Sequence, residues 1–509
     1  MGERVHRSVM NAKVNILFYF LSLILAFFSR KIFLDNLGAD FIGLTGTIGN
    51  ILGYLNLAEL GIGSCISIFL FKPIQNNDKI KINEIISIIG YLYKYIGIII
   101  LSAGSIISMF FPLIFRNESI ELGIIYFSFY TYLCSSLIGY FINYRQILLS
   151  ADQKNYVVSA YFQTFDIIKK GIQIYLAYNY KNLYVWIAVE FIFSLISCIL
   201  LNWKINKEYP WLKSDKNEGK ELLRLYPNIL TNVKQIFIHK IKDFILNKSD
   251  ELFVFMFVSL EMVAFYGNYI IIISKINQFF GRAQDGIGES VGNLVAENNR
   301  NKIVEIFWEL MSIKYLIAGF VCFAIYNYTE PFISLWLGKQ YLLPHNILVL
   351  LTLYIYITNT RGVVDMYNHA YGLYADTWSA WTELILNISI TVLLGFKYGI
   401  IGILYGKLIS TGLIIIFWKP FYLFTSGLKL PTSVYWYGTL KFQIMIVLSF
   451  ILGEIICDLS PIDPNNCISS LIIYCITTMA PFILILISGF YFFTPGTKQV
   501  ISRLKFWTL

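Results

Sequence analysis

Residues 467–493 read CISSLIIYCITTMAPFILILISGFYFF, a run of 27 residues that contains no charged side chain. An α-helix of about 20 apolar residues is long enough to cross the roughly 30 Å hydrocarbon core of a bilayer. Similar runs recur along the chain, and they are continuous, whereas membrane β-strands alternate every second residue. This stretch therefore predicts a chain built from membrane-spanning helices.

The overall composition leads to the same prediction. Of the 509 residues, 57% are hydrophobic and only 14% are charged, whereas soluble globular proteins carry about 25% charged residues. This composition excludes a soluble multidomain enzyme and a disordered protein. We predict an all-α polytopic membrane protein. Its net charge of +9 then reflects topology and membrane lipids, and it gives no indication of nucleic acid.

The apolar runs predict about 14 transmembrane helices. Their approximate ranges are 14–34, 41–70, 85–114, 120–143, 157–179, 183–203, 229–249, 259–283, 305–328, 345–362, 376–396, 398–422, 440–457 and 467–493. If the N-terminus is cytoplasmic, 25 of the 40 Lys and Arg residues fall in cytoplasmic loops and 7 on the other side. Cytoplasmic loops are enriched in Lys and Arg, so the balance predicts that both termini are cytoplasmic.

The longest connection follows the sixth span and divides the chain. The predicted parts are an N-lobe of helices 1–6 at 1–203, a cytoplasmic linker at 204–228, a C-lobe of helices 7–12 at 229–424, and helices 13–14 with a basic cytoplasmic tail at 425–509. A weak similarity between the connectors at 37–44 and 260–268 agrees with two related lobes of six helices, a common plan in transporters.

Charged and polar side chains inside the spans are the candidate functional residues, because a charge at mid-membrane costs at least about 2.5–3.5 kcal/mol. The candidates for a substrate-binding cavity are Arg30, Lys94, Lys240, Asn268, Lys275 and Arg361. The candidates for gating or ion coupling are Glu59, Asp166, Asp250 and Asp365. For Asp166 a structural role is the alternative, because Lys169 and Lys170 follow it at i+3 and i+4 and can neutralise it.

Glu59 lies near the middle of the second span, among small residues that let another backbone approach closely. Arg30 is a candidate partner for its carboxylate, and the pair is either a switchable gate or a fixed structural contact. Lys240 and Lys275 likewise allow two interpretations. They form an anion-attracting pair in a cavity wall, or Lys240 lies near the cytoplasmic headgroups.

No residue pattern indicates catalysis, a metal or a cofactor. The four His are scattered, and no Ser-His-Asp set, HExxH, P-loop or GxGxxG occurs in a usable context. Without a nucleotide site, transport is expected to use an ion gradient, with Na⁺ and H⁺ as candidates, or the gradient of the cargo. Cys457 and Cys467 flank a short loop and can pair if that loop faces an oxidising compartment.

Several motifs are recognisable. They are RKIFLDNLGADFIGL at 30–44, LAELGIG at 57–63, YRQILLSADQKNY at 144–156, YGNY at 266–269 and SVGNLV at 290–295. Together they resemble the bacterial Wzx-type polysaccharide flippases of the multidrug/oligosaccharidyl-lipid/polysaccharide exporter superfamily. Lys407 departs from the pattern, at a position where a small polar residue is expected.

The resemblance implies two six-helix lobes in a V, with two further C-terminal helices, in the bacterial cytoplasmic (inner) membrane. It implies a flippase that translocates undecaprenyl-diphosphate-linked oligosaccharide repeat units by alternating access. Such units serve O-antigen (lipopolysaccharide), capsule or exopolysaccharide biosynthesis. The implied partners are that lipid-linked glycan, membrane lipids, a polysaccharide polymerase and its chain-length machinery. A basic cavity wall suits a diphosphate.

Two other functions remain open at this point. A cation-coupled multidrug antiporter on the same fold predicts a cavity dominated by acidic residues. The intramembrane carboxylates permit that function, whereas the intramembrane lysines argue against it. A membrane glycan polymerase or glycosyltransferase is disfavoured, because such enzymes usually place catalytic residues in a sizeable outer loop, and the predicted outer loops are short.

Overall fold

The protein is helical throughout the part of the chain that the structure describes. The computed structural model describes residues 2–59, 62–116, 118–152, 154–227, 229, 249–283, 291, 294–295, 299–373, 376–500 and 502, and no β-strand occurs in these ranges. The chain forms two compact units, Met1–Ala264 and Phe265–Leu509. The lobe and linker boundaries drawn from the sequence at 203, 228 and 424 remain a prediction.

The helices of the first unit are α1 (Gly2–Leu37), α2 (Ala39–Leu55), α3 (Ile62–Gln75), α4 (Lys79–Ser108), α5 (Phe111–Ile114), α6 (Leu122–Ile142), α7 (Gln146–Ala151), α8 (Asn155–Asn179), α9 (Leu183–Glu208), α10 (Gly219–Leu225) and α11 (249–257). Helix α12 (Leu260–Ala283) begins in this unit and continues into the second.

The helices of the second unit are α13 (Arg300–Trp336), α14 (His345–Thr360), α15 (Gly362–Ala370), α16 (Thr377–Tyr398), α17 (Ile400–Thr411), α18 (Lys419–Tyr422), α19 (Ser433–Asp458) and α20 (Ile468–Phe493). Two π-helical segments, Gly412–Trp418 and Leu423–Gly427, flank α18. Helix α17, these segments and α18 therefore form one candidate span, Ile400–Gly427.

These helices confirm the predicted all-α multi-pass architecture. Helices cover thirteen of the fourteen predicted spans, and the seventh, 229–249, lies outside the described residues except at its two ends. Among the described residues, ten helices are long and apolar enough to cross a membrane. Three of the thirteen, the second, fifth and eighth predicted spans, are missing from these ten. The second is missing because it is interrupted after α2.

In the first unit, residues 209–218, which connect α9 to α10, pack along the start of α4. The amide of Lys213 donates to Asn83 Oδ1 at 2.7 Å, and the amide of Asp215 donates to Ser87 Oγ at 2.9 Å. Side chains of α4 thus satisfy backbone donors that would otherwise need water. This segment is therefore an ordered part of the first unit.

Helix α2 approaches α12 closely at a glycine. A Cβ atom on Gly43 would collide with the backbone carbonyl oxygen of Leu260. Nothing lies within 4 Å of the position that a Cβ would take on Gly49, on the same helix. Small residues at such positions let membrane helices pack backbone to backbone.

Gly43→Ala is expected to lower the free energy of unfolding by about 1–3 kcal/mol, the usual cost of overpacking. The matched control is Gly49→Ala, which fills open space and gains up to about 1 kcal/mol of helix propensity. Thermal unfolding of both purified variants in one detergent measures the difference. Equal midpoints for the two variants would contradict the close approach of α2 and α12.

In the second unit, α19 and α20 pack against α13 through a cluster of aromatic rings. Phe323 of α13 stacks on Phe482 of α20 with ring centroids 3.8 Å apart. Gly453 of α19 makes room for both rings, and near the end of α20 the hydroxyls of Ser312 and Thr497 lie 2.6 Å apart. The last two predicted spans are thus integral to this unit.

The two loop cysteines considered for pairing are both free thiols. Cys457 is buried near the end of α19, whereas Cys467 is exposed. The Cys467 sulfur accepts a hydrogen bond from the Ser470 amide at 3.4 Å and so caps the first turn of α20. The candidate disulfide therefore does not form in this structure.

Candidate functional site

The second predicted span breaks where Glu59 lies. Helix α2 ends at Leu55, a 3₁₀ turn occupies Asn56–Glu59, and α3 begins at Ile62. A 3₁₀ turn within a long helical stretch often marks a functional hinge. Interrupted membrane helices are also typical of transporter binding sites. The break thus places a carboxylate at the point where the helix is discontinuous.

Two tyrosine hydroxyls hold the Glu59 carboxylate. Tyr93 of α4 donates to Oε1 at 2.9 Å, and Tyr140 of α6 donates to Oε2 at 2.6 Å. Both tyrosines are buried, and their rings meet edge to face with centroids 5.5 Å apart. Both carboxylate oxygens of Glu59 thus act as hydrogen-bond acceptors. The carboxylate therefore fastens α4 and α6 to the break.

Asn56 gives the Tyr140 hydroxyl a second acceptor. Asn56 Oδ1 lies 3.1 Å from the Tyr140 hydroxyl and accepts a hydrogen bond from Ser136 at 3.1 Å. A hydroxyl has one proton to donate, so Tyr140 serves either Glu59 or Asn56 at any moment. The shorter distance favours Glu59. The site thus contains a hydrogen bond with two alternative positions.

Arg30 binds elsewhere in the first unit. Its Nη2 donates to the backbone carbonyl of Ala264 in α12 at 3.0 Å. The structure does not form the Glu59–Arg30 contact that the sequence suggests, although both residues lie in the described part of the chain. Hydroxyl groups therefore take the place of the expected cation at Glu59.

A second charged cluster joins α8 to α9. Asp166 contacts Lys169 at 2.9 Å and Lys170 at 2.7 Å, which confirms the i+3 and i+4 pairing predicted for it. Lys169 also contacts Glu190 of α9 at 2.7 Å, and Gln173 donates to the other Glu190 oxygen at 3.3 Å. Charges inside a membrane protein are tolerated when they are paired in this way.

Two predicted site residues of the second unit pair with each other. Arg361, between α14 and α15, contacts Asp365 with its Nε 3.0 Å from Oδ2. Arg361, a predicted cavity residue, thus neutralises Asp365, a predicted ion-coupling residue one helical turn later. To bind an anionic cargo, the Arg361 guanidinium must share its N–H donors between the cargo and Asp365, or release the Asp365 carboxylate.

The remaining predicted site residues occupy different environments. Asn268 is fully buried and Asp250 is buried, whereas Lys275 is half-buried and Lys94 is exposed. Lys240 lies outside the described residues. The structure therefore does not test the proposed pairing of Lys240 with Lys275.

Lys407, the residue that departs from the expected pattern, is buried in the second unit. Its ammonium lies 4.3 Å from the ring centroid of Tyr354 on α14. A cation over an aromatic face in a desolvated setting is worth about 2 kcal/mol. Lys407 therefore has a packing role in this unit.

Within the described residues, no group of three or more His, Cys, Asp or Glu side chains could hold a metal ion. The candidate site combines hydroxyl, carboxamide and carboxylate groups, and ion pairs join Asp166 to Lys169 and Lys170 and Asp365 to Arg361. Membrane-spanning helices together with these intramembrane polar networks define a multi-pass membrane protein.

Two solved structures share this fold. The chain is similar to the lipid II flippase MurJ in its inward closed conformation, with a TM-score of 0.64 and 17% identity over 94% of this chain and 99% of that chain. It is also similar to an inward-facing MATE-family multidrug resistance transporter of the MOP superfamily, with a TM-score of 0.55 and 15% identity over 83% of this chain and 98% of that chain. At these identities the similarity shows the fold alone, and the chain shares the fold of these two proteins.

No protein-family model matches the sequence, and no curated protein matches it.

Proposed function

We propose that the protein is a flippase. It moves undecaprenyl-diphosphate-linked oligosaccharide units from the cytoplasmic to the outer leaflet of a bacterial cytoplasmic membrane. The observation that carries the proposal is the extent of the structural similarity. The fold of a lipid II flippase accounts for 94% of this chain, against 83% for the MATE transporter. The motifs at 30–44, 57–63 and 144–156 support an oligosaccharide cargo, because they resemble Wzx-type flippases.

The break at Glu59 is the gate in this proposal. Protonation of Glu59 removes one acceptor from the network and adds a donor. The Tyr140 hydroxyl then loses its shorter hydrogen bond and turns to Asn56. A proton that binds one arrangement better than the other shifts the balance between them. A proton gradient can thereby drive alternating access through a single carboxylate.

Deletion of the gene, in a strain without a paralogue, tests the function directly. We expect loss of the surface glycan and accumulation of its lipid-linked repeat unit inside the cell. Labelling of the surface glycan and extraction of the lipid-linked precursor measure these two quantities. Complementation with the wild-type gene is the control. Normal surface glycan without precursor accumulation would rule the proposal out.

A cation-coupled multidrug antiporter is the second candidate, and the similarity to the MATE transporter favours it. Asp166 and Asp365 are both paired with cations, which leaves less negative charge for a cationic drug. An efflux assay with a cationic dye separates the two functions. Faster dye efflux on expression, with unchanged glycan export on deletion, would favour the antiporter.

A further inference from the structure

A cationic cavity lies in the first unit where residues 209–218 pack against α4. It has a volume of about 480 Å³, and its charged lining residues are Lys94, Arg145, Asp215 and Lys216. We call it the linker cavity. Three cations and one carboxylate give the lining an excess of positive charge. The cavity differs in its lining residues and its chemistry from the hydroxyl network at Glu59, although Lys94 and Phe141 directly follow Tyr93 and Tyr140 in sequence.

Neutral groups hold two of these cations in place. Lys216 Nζ donates to the Phe141 carbonyl at 2.6 Å and lies 4.6 Å from the ring centroid of Tyr144. Arg145 Nε lies 3.2 Å from the Tyr144 hydroxyl and 3.2 Å from Ser214 Oγ. Such contacts orient a cation but do not cancel its charge. The cavity is thus built around fixed positive groups.

The single carboxylate of the cavity is engaged with the backbone. Asp215 Oδ1 accepts a hydrogen bond from the Asn217 amide at 2.8 Å. Burial lowers the pKa of the Lys216 ammonium below its ordinary value, and the nearby charges of Arg145 and Lys94 lower it further. The cations therefore repel one another, and an anion between them would relieve that repulsion.

One wall of the cavity belongs to an apolar surface of α4. Ile98 lines the cavity and is 45% exposed, and the adjoining Ile99 is 58% exposed. Leu101 and Ile106 continue this exposed surface along the same helix. In a bilayer, exposed apolar side chains of a spanning helix contact acyl chains. The cavity thus places cations beside a surface suited to lipid.

We propose that the linker cavity binds the phosphate group of an anionic membrane lipid, whose acyl chains lie along the exposed apolar surface of α4. Arg and Lys are the side chains that bind phosphate oxygens with charge-assisted hydrogen bonds. Basic groups beside a membrane attract anionic headgroups in the same way. The site does not involve the transported cargo, so the test of lipid binding is independent of the test of the proposed transport function.

Native mass spectrometry of the full-length protein in detergent tests the site. Phosphatidylglycerol is titrated against wild type and the Arg145→Gln/Lys216→Gln variant, with phosphatidylcholine as the zwitterionic control lipid. Each basic group at a membrane surface contributes about fivefold in affinity. We therefore expect wild type to prefer phosphatidylglycerol, and the double variant to bind it about 25-fold more weakly.

Two further variants make the result specific. Lys213→Gln removes an exposed cation from the same segment but outside the cavity lining, and it should bind phosphatidylglycerol like wild type. If the double variant does not fold, Lys94→Gln replaces it, because Lys94 is exposed and its removal disturbs little packing. The expected weakening is then about fivefold.

Three outcomes would overturn the proposal. The first is unchanged phosphatidylglycerol binding in the cavity variants. The second is equal binding of phosphatidylcholine by wild type. The third is displacement of the lipid by inorganic phosphate, used as a probe at a concentration equal to that of the lipid. That result would show that the cavity binds a free anion and gains no affinity from acyl chains.

Discussion

Glu59→Gln is expected to reduce glycan export at least about tenfold without abolishing membrane insertion. The amide keeps one acceptor oxygen, whereas Tyr93 and Tyr140 donate to both oxygens of the carboxylate. The Tyr140 hydroxyl therefore loses its hydrogen bond to a charged acceptor and keeps only Asn56 Oδ1, at 3.1 Å, at a cost of about 1–3 kcal/mol. A cost of that size in one conformation shifts a two-state balance by about 5- to 150-fold. Surface glycan per unit of inserted protein is the measurement.

Two controls separate gating from general damage. Glu121→Gln neutralises an exposed carboxylate of the same unit and should export normally. The double variant Glu59→Gln/Tyr140→Phe removes the displaced hydroxyl as well, so its thermal stability should recover. Its export should stay low, because no hydroxyl remains to move between Glu59 and Asn56. Normal export by Glu59→Gln, or by the double variant, would exclude the gate.

Lys169→Met is expected to lower the free energy of unfolding by about 3–5 kcal/mol, the cost of leaving a partly buried charge without its partner. Lys169 and Glu190 are 14% and 20% exposed, and their charged atoms lie 2.7 Å apart. Without Lys169, Asp166 keeps Lys170, whereas Glu190 keeps, among the described residues, only its hydrogen bond from Gln173. The unfolding midpoint is measured from the rise in labelling by a thiol-reactive dye on heating, as buried thiols such as Cys198 become accessible above the constant labelling of the exposed Cys134 and Cys467.

The neighbouring lysine supplies the matched control. Lys170→Met removes the same side chain one position later, and Asp166 then keeps Lys169 at 2.9 Å. Its cost should stay below about 1 kcal/mol. Lys169→Met/Glu190→Gln should recover most of the lost stability, because the unpaired charge is gone. If Lys169→Met and Lys170→Met unfold at the same temperature, the contact between α8 and α9 is not important for stability.

The sequence predicts the helices well, because membrane length and hydropathy are local properties. It does not predict the break after Leu55. Residues 41–70 form one apolar run, and the 3₁₀ turn at Asn56–Glu59 depends on partners from α4 and α6. Long-range contacts of this kind leave no periodicity in the run itself. The sequence therefore marks Glu59 as an unusual intramembrane charge, but it does not predict the hydrogen-bond partners of that charge.

The candidate site shows the same division between local and distant contacts. Spacing along one helix predicts the pairing of Asp166 with Lys169 and Lys170, whereas the contact with Glu190 joins two helices. Tyr93 does leave a signal, because it shares a buried face with Ile89, Ile96 and Ile100 at helical spacing. A tyrosine on such a face needs a hydrogen-bond partner.

Tyr140, which holds Glu59, lies on α6, and Tyr144, which packs on Lys216, follows four residues later, just past the end of α6 at Ile142. Four residues of chain span at most about 14 Å. An event that moves this short segment therefore perturbs both neighbours. By linkage, a lipid that favours one position of Tyr144 also favours one arrangement of the Glu59 hydrogen bonds, and that arrangement raises the lipid affinity by the same factor. The composition of the surrounding membrane would then bias the gate.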